Sequence, residues 1–217
     1  MIAFLKFFIL SWLNKQHIIL LQHYFVAEIM KKLLQIMIVL QFCCCESLNG
    51  SDFNSLNAAV HASHTSFNQE FSNFWQEKNS WALKLGTDYQ KLELQSVLTV
   101  SSFRSQVMNI SDFKALAIEL GASLPVQLGS IVTILPGIRG GSQMMFFDVK
   151  TEAQRNESEL TAALTAALRW KMSKTFFLEA GYEKGLILTR REIYYNRLTL
   201  GIGMLQNTPA VIKDFLE

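Results

Sequence analysis

The sequence predicts an all-β fold: an antiparallel transmembrane β-barrel, or part of one, built of long strands and preceded by a short helix. Three features predict it. Apolar residues recur with a period of two over much of residues 80–205, the signature of strands with one apolar face. The alternating segments are long: 114–128 and 159–172 keep the rhythm throughout, whereas strands of water-soluble proteins run about 3 to 10 residues. Short and long connections also alternate along the chain, as in outer-membrane barrels with short periplasmic turns and longer external loops.

Composition sets the frame. The chain has 217 residues, half of them apolar, 18% charged, and a net charge of +2. Without a basic block it lacks the electrostatic footprint of a nucleic-acid binder. The three cysteines are consecutive, Cys43, Cys44 and Cys45, a spacing that cannot form a disulfide framework.

The N-terminal part reads as targeting sequence. Met30-Lys31-Lys32, then LLQIMIVLQFCCC, then polar ESLNGS has the basic start, apolar stretch and small residues of a secretory signal peptide. This predicts residues 30–47 as a leader cleaved after Ser47, and makes residues 1–29 an upstream extension. Two other readings stay open: a lipoprotein acylated at Cys43, and an inner-membrane protein anchored by helices in residues 1–45, a stretch interrupted by Lys15, His17, His23 and Glu28.

Residues 48–79 are predicted as a helical or linker segment. Phe67, Phe71, Phe74 and Trp75 fall at i, i+4, i+7 and i+8, and Phe53, Leu56 and Val60 fit a similar stripe. His61 and His64 share a face in that reading at metal-ligand spacing. No cysteine or carboxylate lies beside them, so they are expected to face solvent.

From Trp81 the period is two. Trp81, Leu83, Leu85 and Tyr89 share one face, and the phase then slips to Leu92, Leu94, Leu98 and Val100. The slip implies either one bulged strand or a tight turn at Gln90-Lys91. Further on, Leu116 to Leu128, Leu160 to Met172, Phe176 to Tyr182, and Leu198 to Met204 alternate with Gly, Thr, Ser and charged residues. Glycines and prolines at these spacings weigh against helices. Val132, Ile134 and Ile138 form another strand, with Pro136 a blemish. The count is six strands with a bulge, or seven with a hairpin, and the barrel is expected to end near Leu205, followed by a tail over 206–217.

A tight turn at Ser173-Lys174-Thr175 pairs Met172 with Phe176, which places Trp170 opposite Leu178 and Arg169 opposite Glu179. The second pair is expected to be an ion pair inside the barrel. Glu119, Glu183, Arg139, Arg197 and Lys171 are further inward charges, and Trp170, Tyr182, Tyr194 and Tyr195 are candidates for aromatic girdles. No Ser in a GxSxG setting occurs; catalytic, binding and metal residues are all expected to be none, and no cofactor is implied.

Segments 118–141 (IELGASLPVQLGSIVTILPGIRGG), 160–184 and YYNRLTLGIGM at 194–204 resemble the last strands of autotransporter β-domains. The resemblance implies a translocator or anchor in the bacterial outer membrane, with surrounding lipid and the barrel assembly machinery as partners. It departs from the pattern at the last strand, which does not close the chain on an aromatic residue. The strand count also falls short of twelve, so either residues 53–78 hide further strands, or strands are missing, or a homo-oligomer completes the barrel. A pore is the related expectation, and a soluble periplasmic all-β binding domain is the alternative.

Overall fold

The structure, a computed structural model, describes residues 53–108, 110–148, 157–189 and 192–208. The expectations for residues 1–29, the leader at 30–47, Cys43 and the tail beyond Thr208 lie outside the described residues.

Alternation builds one closed sheet. Its strands are β1 (Phe53–Phe67), β2 (Trp75–Tyr89), β3 (Leu92–Ser105), β4 (Phe113–Ser123), β5 (Val126–Leu128), β6 (Val132–Phe147), β7 (Glu157–Lys171), β8 (Phe176–Leu188) and β9 (Ile193–Asn207), and among the described residues one helix, α1 (Gln69–Ser72), joins β1 to β2. All pairings are antiparallel between neighbours, and β1 pairs with β9 (Ala62↔Leu200). β4 and β5 both pair with β6 and behave as one interrupted strand. The result is a closed eight-stranded antiparallel barrel, which leaves no unpaired edge.

Closure corrects the expected six or seven strands, and the missing one is β1. Residues 53–67 are a strand, not a helix, and the helix is limited to Gln69–Ser72. In β1, Ser55, Asn57, Ala59, His61 and Thr65 are buried, while Ala58, Val60, Ala62 and His64 are exposed. Alanines on both faces blur the period of two, and its polar residues point inward. A strand also sends i and i+3 to opposite faces, so His61 is interior and His64 exterior, and the pair is not a joint site.

The slip at Gln90-Lys91 is a hairpin. Gln90 takes φ 51, and the register runs through Tyr89↔Leu92 to Trp75↔Ser105 with one bulge between Glu77 and Asn79. The segment expected as one strand over 114–128 breaks at Leu124-Pro125. Pro125 has no N–H to donate, while the Leu124 N–H reaches the Pro136 carbonyl at 2.8 Å. Pro136 itself lies within β6 opposite Ala166.

The predicted β7–β8 register is observed: Trp170↔Leu178 and Arg169↔Glu179, closed by Met172 N–H to Phe176 O at 3.0 Å. The last strand extends to Asn207, two residues past Leu205. The turns at 90–91, 129–131 and 172–175 lie at the barrel end where β1 starts and β9 finishes. The opposite ends of the strands, where the chain leaves β1, β3, β6 and β8 and enters β2, β4, β7 and β9, form the other, called here the loop end.

The two faces differ in chemistry. On β9, Tyr195, Arg197, Gly201 and Gly203 are buried, and Leu198, Leu200, Ile202 and Met204 are exposed. On β7, Leu160, Leu164, Leu168 and Trp170 are exposed with Ala162 and Ala166 between them. Leu200 is 65% exposed and Leu164 66%, so the apolar rows face outward and the polar rows inward, the inverse of a soluble protein.

Candidate functional site: the barrel interior

An eight-stranded barrel is just wide enough for its inward side chains to fill it. Here they fill it in two layers, one ionic and one aromatic.

The ionic layer centres on Arg169. Its guanidinium donates to both oxygens of Glu93 at 2.7 and 2.9 Å and to Glu179 Oε2 from Nε at 2.9 Å and Nη2 at 2.7 Å. Lys84 bonds Glu179 and lies 3.5 Å from Glu93. His61 Nε2 stands 3.7 Å from Glu179, and the Phe177 ring lies 4.5 Å from the Arg169 guanidinium, at cation–π range. A second cluster lies beside it. Arg139 pairs with Glu183 and sits 3.8 Å from Glu119. Arg197 donates to Glu183 at 3.3 Å and to Thr65 Oγ1 at 3.2 Å, and Thr161 donates to Glu119 at 3.0 Å.

Glu93, Glu119, Glu179 and Glu183 thus meet Lys84, Arg139, Arg169 and Arg197. Charges taken out of water need such partners, because an unpaired one costs several kcal/mol. Each carboxylate lies within 4 Å of a cation, although Glu119 Oε2 has no hydrogen-bond partner of its own, and the cluster ties strands together across the interior. Among the described residues no group of His, Cys, Asp and Glu is arranged to hold a metal.

The aromatic layer closes the loop end. Phe103 and Phe113 stack at 4.4 Å. Phe71, carried by α1, lies 4.4 Å from Phe67, 5.4 Å from Trp75 and 5.8 Å from Phe103. Trp75 donates to Ser111 O at 3.2 Å. Tyr195 joins the layers, with Phe67 on one side and the Arg197 guanidinium 5.0 Å away. The spacing of Phe67, Phe71 and Trp75 therefore does bring the rings together, but across a strand end, one helical turn and a strand start.

Among the described residues, a cavity of about 30 Å³ lies beside His61, Lys84, Arg139 and Glu183. Another of about 70 Å³ lies at the turn end, between Asp88, Gln127, Arg169 and Lys171. A water takes roughly 30 Å³, so the first has room for about one water and the second for about two.

A closed barrel, apolar outside and ionic inside, has solved counterparts. The fold is that of a small outer-membrane barrel. It is similar to the Neisserial surface protein A, 14% identical over 70% of this chain and 96% of that one, with a TM-score of 0.53. Ail, the attachment invasion locus protein of Yersinia pestis, is 15% identical over 71% and 99%, with a TM-score of 0.45. The N-terminal β-barrel domain of OprF from Pseudomonas aeruginosa is 13% identical over 69% and 97%, also at 0.45. At such identities the likeness concerns fold and carries no function. No protein family and no curated protein matches the chain.

The resemblance to autotransporter β-domains is corrected accordingly. The barrel closes on eight strands of its own, so neither missing strands nor an oligomer is required to complete it. The alternation and glycine placement that carried the resemblance belong to outer-membrane strands in general.

Of the expected inward charges, Glu119, Glu179, Glu183, Arg139, Arg169 and Arg197 all join the network, while Lys171 lines the turn-end cavity. Trp170 and Tyr194 are exposed on the outside near opposite ends of the barrel, as girdle residues should be, whereas Tyr182 is exposed midway along β8 and Tyr195 is buried. The phase of β9 decides this, since neighbours in a strand face opposite ways. Sequence reasoning missed Lys84, Glu93 and His61. A signal for the first two was present, as each stands between outward leucines.

Proposed function

We propose that the protein is an outer-membrane anchor: a solid barrel that fixes its connecting loops at the cell surface, and neither a translocator nor a pore. The filled interior carries this reading. The paired charges and aromatic layer occupy the lumen, and the described cavities hold only a few waters, whereas porins of about 16–18 strands leave an aqueous channel. Cargo passage would require the Arg169 and Arg139 clusters to open, stranding buried charges.

The exposed apolar rows support membrane residence. Leu164, Leu198, Leu200, Ile202 and Met204 form part of an outer apolar belt far larger than soluble monomers tolerate. The same belt weighs against the soluble periplasmic reading. With the short turns on the periplasmic side, as in outer-membrane barrels generally, the loop end faces outward. The ion-paired carboxylates favour a non-enzymatic role.

Fractionation and reconstitution test this. The full chain is expected in the outer-membrane fraction, extracted only by detergent, with heat-dependent migration on a denaturing gel. In planar bilayers it is expected to give no stable conductance. Release into buffer would overturn the membrane reading, and a steady single-channel current would restore the pore.

A further inference from the structure

The turn end of the barrel carries a cation that the interior network does not use. Lys171 is the last residue of β7 and follows Arg169 on the same inward face. It is half-buried and lines the turn-end cavity with Asp88, Gln127 and Arg169, where Pro125, Phe177 and Leu205 supply apolar wall. Among the described residues its ammonium has no carboxylate partner. Glu93 and Glu179 are taken by Arg169 and Lys84, and Asp88 accepts from the Ser55 hydroxyl. A spare cation beside an apolar wall suits an occupant that brings both a carboxylate and apolar side chains.

The chain itself delivers such a segment to this place. β9 finishes at Asn207 at the turn end, and its Leu205 lines the cavity and donates its N–H to Thr175 O at 2.7 Å. Thr208 is buried, so the chain still lies against protein where the described residues stop. Residues 209–217 follow, PAVIKDFLE. Proline is favoured at the first position of a helix. At about 100° per residue, Val211, Ile212, Phe215 and Leu216 fall on one face. Asp214 borders that face beside Val211, and Lys213 and Glu217 lie on the other side, which thus holds one cation against two carboxylates. Helices that lie in a lipid surface are rich in Lys and Arg on their polar face, so this segment fits the cationic mouth better than the bilayer. An extended chain covers at most about 3.6 Å per residue, so Val211 stays within about 11 Å of Thr208, close enough to return to the cavity that Leu205 lines.

We propose that residues 209–217 fold back as a helical cap on the turn-end mouth, with Val211 and Phe215 against Pro125, Phe177 and Leu205 and the Asp214 carboxylate on Lys171. A helix this short has no stability of its own, so the cap folds as it docks. It goes beyond the anchor reading by giving the barrel a second closure. The aromatic layer shuts the loop end, and the chain's own tail shuts the end that is periplasmic in that reading.

Cross-linking tests the cap in the full chain, refolded into lipid vesicles with Cys43, Cys44 and Cys45 changed to serine. Gln127→Cys with Val211→Cys is expected to join within one chain under a short bifunctional maleimide. Ser66→Cys with Val211→Cys, which asks the tail to reach the loop end, is expected to give no such product. Lys171→Glu is expected to slow the first cross-link about two- to fivefold, the worth of a partly exposed ion pair, and Asp214→Lys added to it is expected to restore the rate. Equal products from the two cysteine pairs, or an unchanged rate in Lys171→Glu, would overturn the cap. So would quenching by brominated lipid of a fluorophore attached to the Val211→Cys chain, which would put the tail in the bilayer. Heat-dependent migration is recorded for every variant. A chain that shows none defeats the membrane reading itself, whereas one that migrates as folded and fails to cross-link defeats the cap alone.

Discussion

Arg169 on β7 and Glu179 on β8 stand directly opposite each other, and the guanidinium reaches Glu179 Oε2 through two nitrogens while its other edge clasps Glu93 on β3. One arginine thus ties neighbouring strands together and spans the barrel. Glu179→Gln would leave Arg169 and Lys84 short of a counter-charge inside the barrel, and breaking a buried pair from one side costs about 3–5 kcal/mol. Urea unfolding of the variant in lipid vesicles should show that loss. A drop under about 1 kcal/mol would mean that water reaches the pair and screens it.

Membrane residence makes a depth-dependent prediction. Leu200 lies midway along β9, outward, between Ala62 and Ala180, and Leu128 lies outward beside a turn. Leu200→Arg is expected to destabilise the folded barrel by about 2–4 kcal/mol in vesicles, and Leu128→Arg by about 0–1 kcal/mol. The difference is read from paired urea titrations. In a water-soluble sheet both substitutions would fall within about 0.5 kcal/mol of neutral.

The Arg169–Glu179 pair was legible because a three-residue turn fixes the register and counting back from it needs no distant information. Cross-barrel partners are not legible in this way. Lys84 meets Glu179 from 95 residues away and Arg169 meets Glu93 from 76, separations that only closure of the sheet brings together. β1 was hidden by its own composition: Ala58, Ala59 and Ala62 sit on both faces and His64 is outside, so the contrast that marks a strand is weak there. The Phe67, Phe71, Phe74, Trp75 spacing then imposed a helical period on a stretch that contains only one helical turn. Proline broke the rhythm at Leu124-Pro125 for want of a donor, but Pro136 was accommodated within β6.

Two adjacent glycines on β6 should respond in opposite ways. Gly141 faces inward opposite Glu119, and a Cβ there would press on the Ile118 carbonyl and approach the Glu119 Cα at 2.6 Å. That obstacle is backbone, so β4 and β6 must part. Gly141→Ala is expected to cost about 1–3 kcal/mol, as overpacking does. Gly140 faces outward, where a Cβ meets only the Thr161 carbonyl at 3.5 Å. Gly140→Ala is expected to be neutral or to stabilise by up to about 1 kcal/mol, because glycine loses more backbone freedom on folding. Unfolding midpoints of the two variants, measured side by side, check the sign of each.

The aromatic layer predicts that one ring governs the order of the first loop. Phe71 is buried among Phe67, Trp75, Phe103 and Phe113, whereas Phe74, three residues on, is 43% exposed and touches only the edge of the cluster at Trp75. A helix of four residues has no stability of its own, so α1 is held by the packing of Phe71. Phe71→Ala should cost about 3–5 kcal/mol if the site does not collapse. It should also expose residues 68–74 to protease while the strands stay protected, because the ionic layer below is untouched. Phe74→Ala should leave both stability and cleavage close to the wild type. Limited proteolysis of the barrel in vesicles, with the cut sites mapped, separates the two. Equal cleavage of both variants would mean that the loop is ordered by something other than Phe71.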